Sequence, residues 1–139
     1  MGFTISPILA VLLLLPAKQS DAPVIDYHQH LFSPAAGALV TGNPNSPGIS
    51  ARNLIELLDA AGTQRALVLS AAYTWGKASR AQVENEYDHV KAENDWTAQQ
   101  VAQYPNRLRA FCSFNPLKPG QLHTSRDCPN SDPSVPWRC

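Results

Sequence analysis

Apolar positions change period along this chain, and the changes mark its elements. The stretch Val24-Ile25-Asp26-Tyr27-His28-Gln29-His30 carries an apolar pair into alternating polar residues, which predicts a strand over 24–30. Residues 31–47 are rich in Pro, Gly, Ser and Asn and predict a long loop, of the kind that covers a site. Ser50 is a good N-cap, and Leu54, Ile55, Leu58 and Ala61 repeat at helical spacing, so a helix is expected over 51–61. Gly62 stands where a helix C-terminal glycine belongs. The short apolar run 65–71 then fits a strand buried on both faces. A second loop covers 72–80. Good helix formers fill 81–104, with Val83, Tyr87, Val90, Asn94, Val101 and Tyr104 following one stripe until Pro105 stops it. A third strand is expected over 108–114. The order βαβαβ argues for a parallel sheet with helices packed against it.

The two ends read differently. Ile8 to Leu15 is an unbroken apolar run, too short to span a membrane, which needs about 20 such residues. Pro16-Ala17 breaks it and small residues follow, so residues 1–22 are expected to form an export signal, cleaved after Ala17 or Ala22, that delivers the chain to the periplasm or outside the cell. Beyond Pro119 apolar periodicity ends. Residues 120–139 hold Pro129, Pro133 and Pro136 and are expected to form a disordered tail. The chain thus divides into 1–22, a folded portion over 23–119 and a tail over 120–139.

Charge and cysteine content narrow the function classes. Eleven basic residues balance eleven acidic ones, so no nucleic-acid surface is expected. The cysteines are Cys112, Cys128 and Cys139, an odd count without a Cys-x-x-Cys pair, which argues against a thiolate zinc site. Cys112 lies in an apolar run and reads as a small buried side chain, while Cys128 and Cys139 can pair in an oxidising compartment.

The chemistry gathers in the first strand. On an ideal strand Asp26, His28 and His30 share one face, and the two histidine Cα atoms lie roughly 6.5–7 Å apart. Both imidazoles can then reach one divalent metal ion; the alternative is two polar residues on a half-exposed strand. Asp26 either orients a ligand histidine or accepts a local backbone hydrogen bond. Tyr73 and Trp75 follow a strand end and either line a site or pack on the domain. Glu84, Glu86, Asp88, Lys91 and Glu93 read as a solvated helix face, and Asn115 as a turn residue before Pro116.

These segments, taken in order, resemble a known family. Ile25-Asp26-Tyr27-His28-Gln29-His30 is similar to the first-strand signature of the amidohydrolase superfamily, and the chain resembles its amidohydrolase-related group of metal-dependent hydrolases and decarboxylases. Leu57-Leu58-Asp59-Ala60-Ala61-Gly62 with Arg65-Ala66-Leu67-Val68-Leu69-Ser70 resembles that group's first helix and second strand. Glu93-Asn94-Asp95-Trp96, Tyr104-Pro105-Asn106-Arg107 and Phe111-Cys112-Ser113-Phe114-Asn115-Pro116 resemble its second helix and third strand.

The resemblance implies the first βαβαβ portion of a (β/α)8 TIM barrel, incomplete in this chain, with His28 and His30 as two ligands of Zn2+ or another divalent metal. It implies a small carbonyl, amide or carboxylate substrate. Further ligands come from later strands in such barrels, so this chain is expected to be an inactive N-terminal fragment, as a frameshift or early stop produces. The alternative is a non-catalytic exported product that binds metal weakly. An open sheet edge beyond the third strand is expected to promote self-association.

Overall fold

The strand, helix, strand order follows from local residue chemistry. The computed structural model describes residues 23–77, 83–118 and 137–138, the last two by their backbone; the expected export signal lies outside the described residues. Strand β1 spans Ile25–Gln29, helix α1 Pro34–Thr41, helix α2 Ala51–Ala61 and strand β2 Arg65–Leu69. A 3-10 turn follows over Ala71–Thr74, then helix α3 over Glu86–Ala102, strand β3 over Leu108–Phe111 and strand β4 over Trp137–Arg138. The sheet order is β1-β2-β3-β4, every pair parallel. The chain is therefore mixed α/β with a small parallel sheet.

Helix α1 lies inside the segment expected to be a loop. Ser33 accepts a hydrogen bond from the Ala36 backbone N–H, Pro34 opens the first turn and Gly42 closes the helix at φ 71°. Serine at the N-cap, proline at N1 and glycine after the last turn are the residues each position favours. Prolines at 34, 44 and 47 made the whole stretch read as a breaker, although the first of them starts a helix. Residues after α1 fold back on β1's exit, where Phe32 and Ile49 exchange backbone hydrogen bonds. Gly48, at φ 73°, permits that approach: a Cβ there would stand 2.2 Å from the Phe32 carbonyl oxygen.

Helix α2 occupies the predicted residues. Ser50 and Asn53 form a reciprocal capping box, and Leu54 and Leu58 turn inward. Ala66 and Val68 of β2 and Leu108 and Ala110 of β3 meet them, together with Leu31 and Val101, in the main apolar cluster. Both long helices thus cover one face of the sheet. The opposite face is less covered: Leu67 and Leu69 are half-buried and Phe111 is 40% exposed. Strand β2 is consequently buried on one face, not on both as its apolar run suggested.

Of the tail expected over 120–139, residues 137–138 alone lie within the described residues. Trp137 and Arg138, within the stretch expected to be disordered, pair with Ala110 and Phe111 of β3. Two residues of backbone pairing need no apolar periodicity, so the sequence pattern carried no trace of them. Among the described residues, no helix is long and apolar enough to cross a membrane.

Candidate metal centre

His28 and His30 lie at the C-terminal end of β1, on the edge of a parallel sheet where ligand sites of such folds are built. Their Nε2 atoms stand 3.2 Å apart, with the rings 5.0 Å between centroids and 77° between planes. Two imidazole nitrogens bound to one tetrahedral zinc at about 2.0–2.1 Å each would be separated by about 3.3 Å. The pair is therefore spaced as two ligands of one ion.

The hydrogen bonds around His30 fix its protonation pattern. Its Nδ1 lies 2.7 Å from the Leu69 carbonyl oxygen. A carbonyl only accepts, so Nδ1 carries the proton and, in the neutral ring, Nε2 presents its lone pair toward His28. Without an ion, His28 Nε2–H donates to that lone pair. This is the arrangement in which a ligand histidine is oriented through its second nitrogen.

Asp26 is not on this face. The pairing of Asp26 with Ala66 and of Gln29 with Val68 sets three steps of β1 against two of β2, a bulge. The extra residue reverses alternation, so Asp26 shares the helix-covered side with Gln29 and Leu31. Its carboxylate accepts from the His28 backbone N–H at 2.9 Å and from Gln29 Nε2 at 2.7 Å. These two hydrogen bonds, the backbone one foremost, hold its pKa below the ordinary aspartate value. Of its two readings, local backbone bonding is the one observed.

The aromatic residues after β2 separate. Tyr73 is 37% exposed, with its ring centroid 5.9 Å from that of His30. Trp75 is buried and stacks on His89 at 4.3 Å and 8°, a packing role for both. Asn115 accepts from the Leu117 backbone N–H, the expected turn role, and its side-chain amide donates to the Gly76 carbonyl.

Three residues that the sequence did not mark as functional frame the site. Glu93, expected on a solvated face, is 2% exposed. It accepts from the Ser33 backbone N–H at 2.9 Å and from the Ser33 hydroxyl. Burial pushes its pKa up, and the two Ser33 hydrogen bonds oppose that shift. Asn94 is 4% exposed and exchanges hydrogen bonds with the backbone of Ser113, 3.0 Å in each direction. The Ser113 hydroxyl donates to the Ser70 carbonyl and accepts from the Tyr73 N–H. Helical spacing placed Asn94 on the inward stripe; Glu93 beside it follows the same turn, and its charge masked that signal.

Cys112 also differs from its expected role. It is half-buried and disulfide-bonded, not an apolar core residue. Its position directly after β3 puts the bond at the same sheet end. Cavities of about 380 Å³ and 480 Å³, the first bordered by Arg65 and Arg109 and the second by Asp59, lie instead at the N-terminal end of the strands. Among the described residues, no cluster of three His, Cys, Asp or Glu side chains is placed to hold a metal. No protein-family model, curated protein or solved structure matches this chain.

Proposed function

We propose that His28 and His30 form the two-histidine arm of a divalent-metal site, most simply zinc, in a metal-dependent hydrolase of the amidohydrolase-related type. Its substrate class is a small carbonyl, amide or carboxylate compound. The observation that carries this reading is the 3.2 Å convergence of the two Nε2 atoms, with His30 oriented through Leu69. A metal bound there would lower the pKa of its water to about 7 and polarise a carbonyl. His28 and His30 hold and aim their nitrogens, and Tyr73 borders the approach to them.

Two histidines fall short of the three or four protein ligands that zinc sites use. Among the described residues this pair stands alone, so weak zinc binding and no turnover are expected, and further ligands are required for catalysis. The apolar run at 8–15 supports export, and a disulfide at Cys112 agrees with an oxidising compartment.

Zinc titration by calorimetry tests the site. Micromolar or weaker binding is expected for the wild type, lost in His28→Ala and in His30→Ala. Unchanged binding in both variants would refute the pair as ligands. Assayed with zinc and a panel of amide and ester substrates, the isolated chain is expected to show no turnover that depends on His28. Cell fractionation checks export, with the processed chain expected outside the cytoplasm.

A further inference from the structure

We infer that Glu93 and Asn94 are positioning residues that aim His30, the inner member of the histidine pair, by tying together the C-terminal ends of β1, β2 and β3. Both sit in one turn of α3 and both are almost wholly buried. Their side chains reach different strand exits. Glu93 holds Ser33 by its backbone N–H and its hydroxyl, three residues beyond His30. Leu31, fully buried between them, packs in the main core. The backbone that carries His30 is thereby fixed on its downstream side.

Asn94 works from the opposite direction. Its carboxamide clasps the Ser113 backbone just after β3, and the Ser113 hydroxyl donates 2.7 Å to the Ser70 carbonyl at the end of β2. The preceding carbonyl, Leu69, is the acceptor that sets the His30 ring. One route fixes the main chain bearing the imidazole, and the other fixes the acceptor that orients it. Both begin in adjacent residues of one helix.

Energetics separate this role from plain packing. Among the described residues, both donors to the buried Glu93 carboxylate belong to Ser33, a neutral residue. A carboxylate removed from water without a cation is costly, and a well-packed apolar side chain in its place is often neutral or stabilising. What the carboxylate supplies, and an apolar side chain cannot, is a two-point grip on Ser33, one point on its backbone N–H and one on its hydroxyl. The same holds for Asn94, whose amide offers one donor and one acceptor to one residue.

The functional meaning of this bracing rests on the pair acting as a metal arm; the bracing itself does not. The test therefore has two readouts on full-length chain, each taken where circular dichroism shows the variant folded. The first is the 15N and 1H signature of the His30 ring. The wild type is expected to show the single Nδ1–H tautomer, and Glu93→Ala and Asn94→Ala a mixture. The second is Co2+ affinity from its absorption bands, expected to fall about 10–100-fold, as for loss of groups that orient metal ligands. Glu93→Gln keeps an acceptor for the Ser33 N–H and is expected to recover most of both signals.

If Glu93→Ala does not fold, Ser33→Ala and Asn94→Asp each remove part of one grip and are expected to shift the tautomer in the same direction. Folded variants with the wild-type tautomer and only a lower melting temperature would overturn the inference. A wild type that binds no Co2+ would refute the metal reading, while the tautomer readout still decides the bracing.

Discussion

At the scale of single residues, the site divides into a part that periodicity fixes and a part that a bulge moves. His28 and His30 are two apart, and their convergence was legible because a strand returns every second side chain to the same face. Asp26 is also two from His28, yet the bulge sends it to the other side. Nothing in the residue types announces that bulge, because it arises from pairing with β2. The Asp26 carboxylate instead supports the bulge by capping the His28 N–H. Its pKa is lowered, so its contribution is present above the ordinary aspartate value of 3.8 and is lost as pH falls through the depressed one. Asp26→Asn should flatten the acid limb of a stability–pH curve below that value, measured by denaturant midpoint. The change should be small because the group stands at an open sheet edge. Glu93 has the opposite sign. Its raised pKa means that its contribution to stability is fully present below the ordinary glutamate value of 4.5 and is lost as pH rises through the raised one. Glu93→Gln should remove that decline, so the variant's stability relative to wild type improves with pH across this window. A parallel pair of curves would show that the carboxyl does not titrate in the fold.

At the scale of elements, α2, β2 and β3 were legible because caps, stripes and apolar runs agree with one another along those segments. Helix α1 was not, since its proline and glycines signal a loop when counted and a capped helix when placed. The returning loop adds a constraint that two glycines distinguish. Gly42 and Gly48 have nearly the same positive φ, 71° and 73°. A Cβ at Gly42 meets nothing within 4 Å, whereas at Gly48 it collides with the Phe32 carbonyl. Gly42→Ala should therefore cost about 1–2 kcal/mol, the left-handed penalty alone. Gly48→Ala carries the same penalty plus a clash with main chain beside Ser33, and should cost at least about 3 kcal/mol. Urea unfolding of the two variants makes the comparison. Equal losses would show that Gly48 is needed for its φ only and that the loop does not press on β1's exit.

At the scale of the whole molecule, the two sides of the sheet are unequal, and that inequality sets the behaviour in solution. Helices α2 and α3 cover Ala66, Val68, Leu108 and Ala110, leaving Leu67, Leu69 and Phe111 on the thinly covered side with the histidines. The apolar run of β2 foretold a sheet covered on both faces; the single helical layer became visible only when the strands were paired. On the edge beyond β3, the one expected to stay open, Trp137–Arg138 occupy two positions. Strand β1 has β2 as its one strand neighbour among the described residues, so its outer backbone row forms the opposite edge. Contiguous apolar surface beside an unpaired strand favours association with a second copy. Sedimentation velocity should show a concentration-dependent shift toward dimer and larger species. Phe111, 40% exposed on this face, is the place to weaken it without entering the core. Phe111→Lys should shift the distribution toward monomer and leave the unfolding midpoint nearly unchanged, because a half-exposed ring contributes little burial to the monomer. It should also leave the His30 tautomer as in the wild type, since neither Leu69 nor Ser33 is disturbed. A wild type that stays monomeric at high concentration, with one sharp cooperative melt, would rule out the association and would mean that the face is already protected in the native chain.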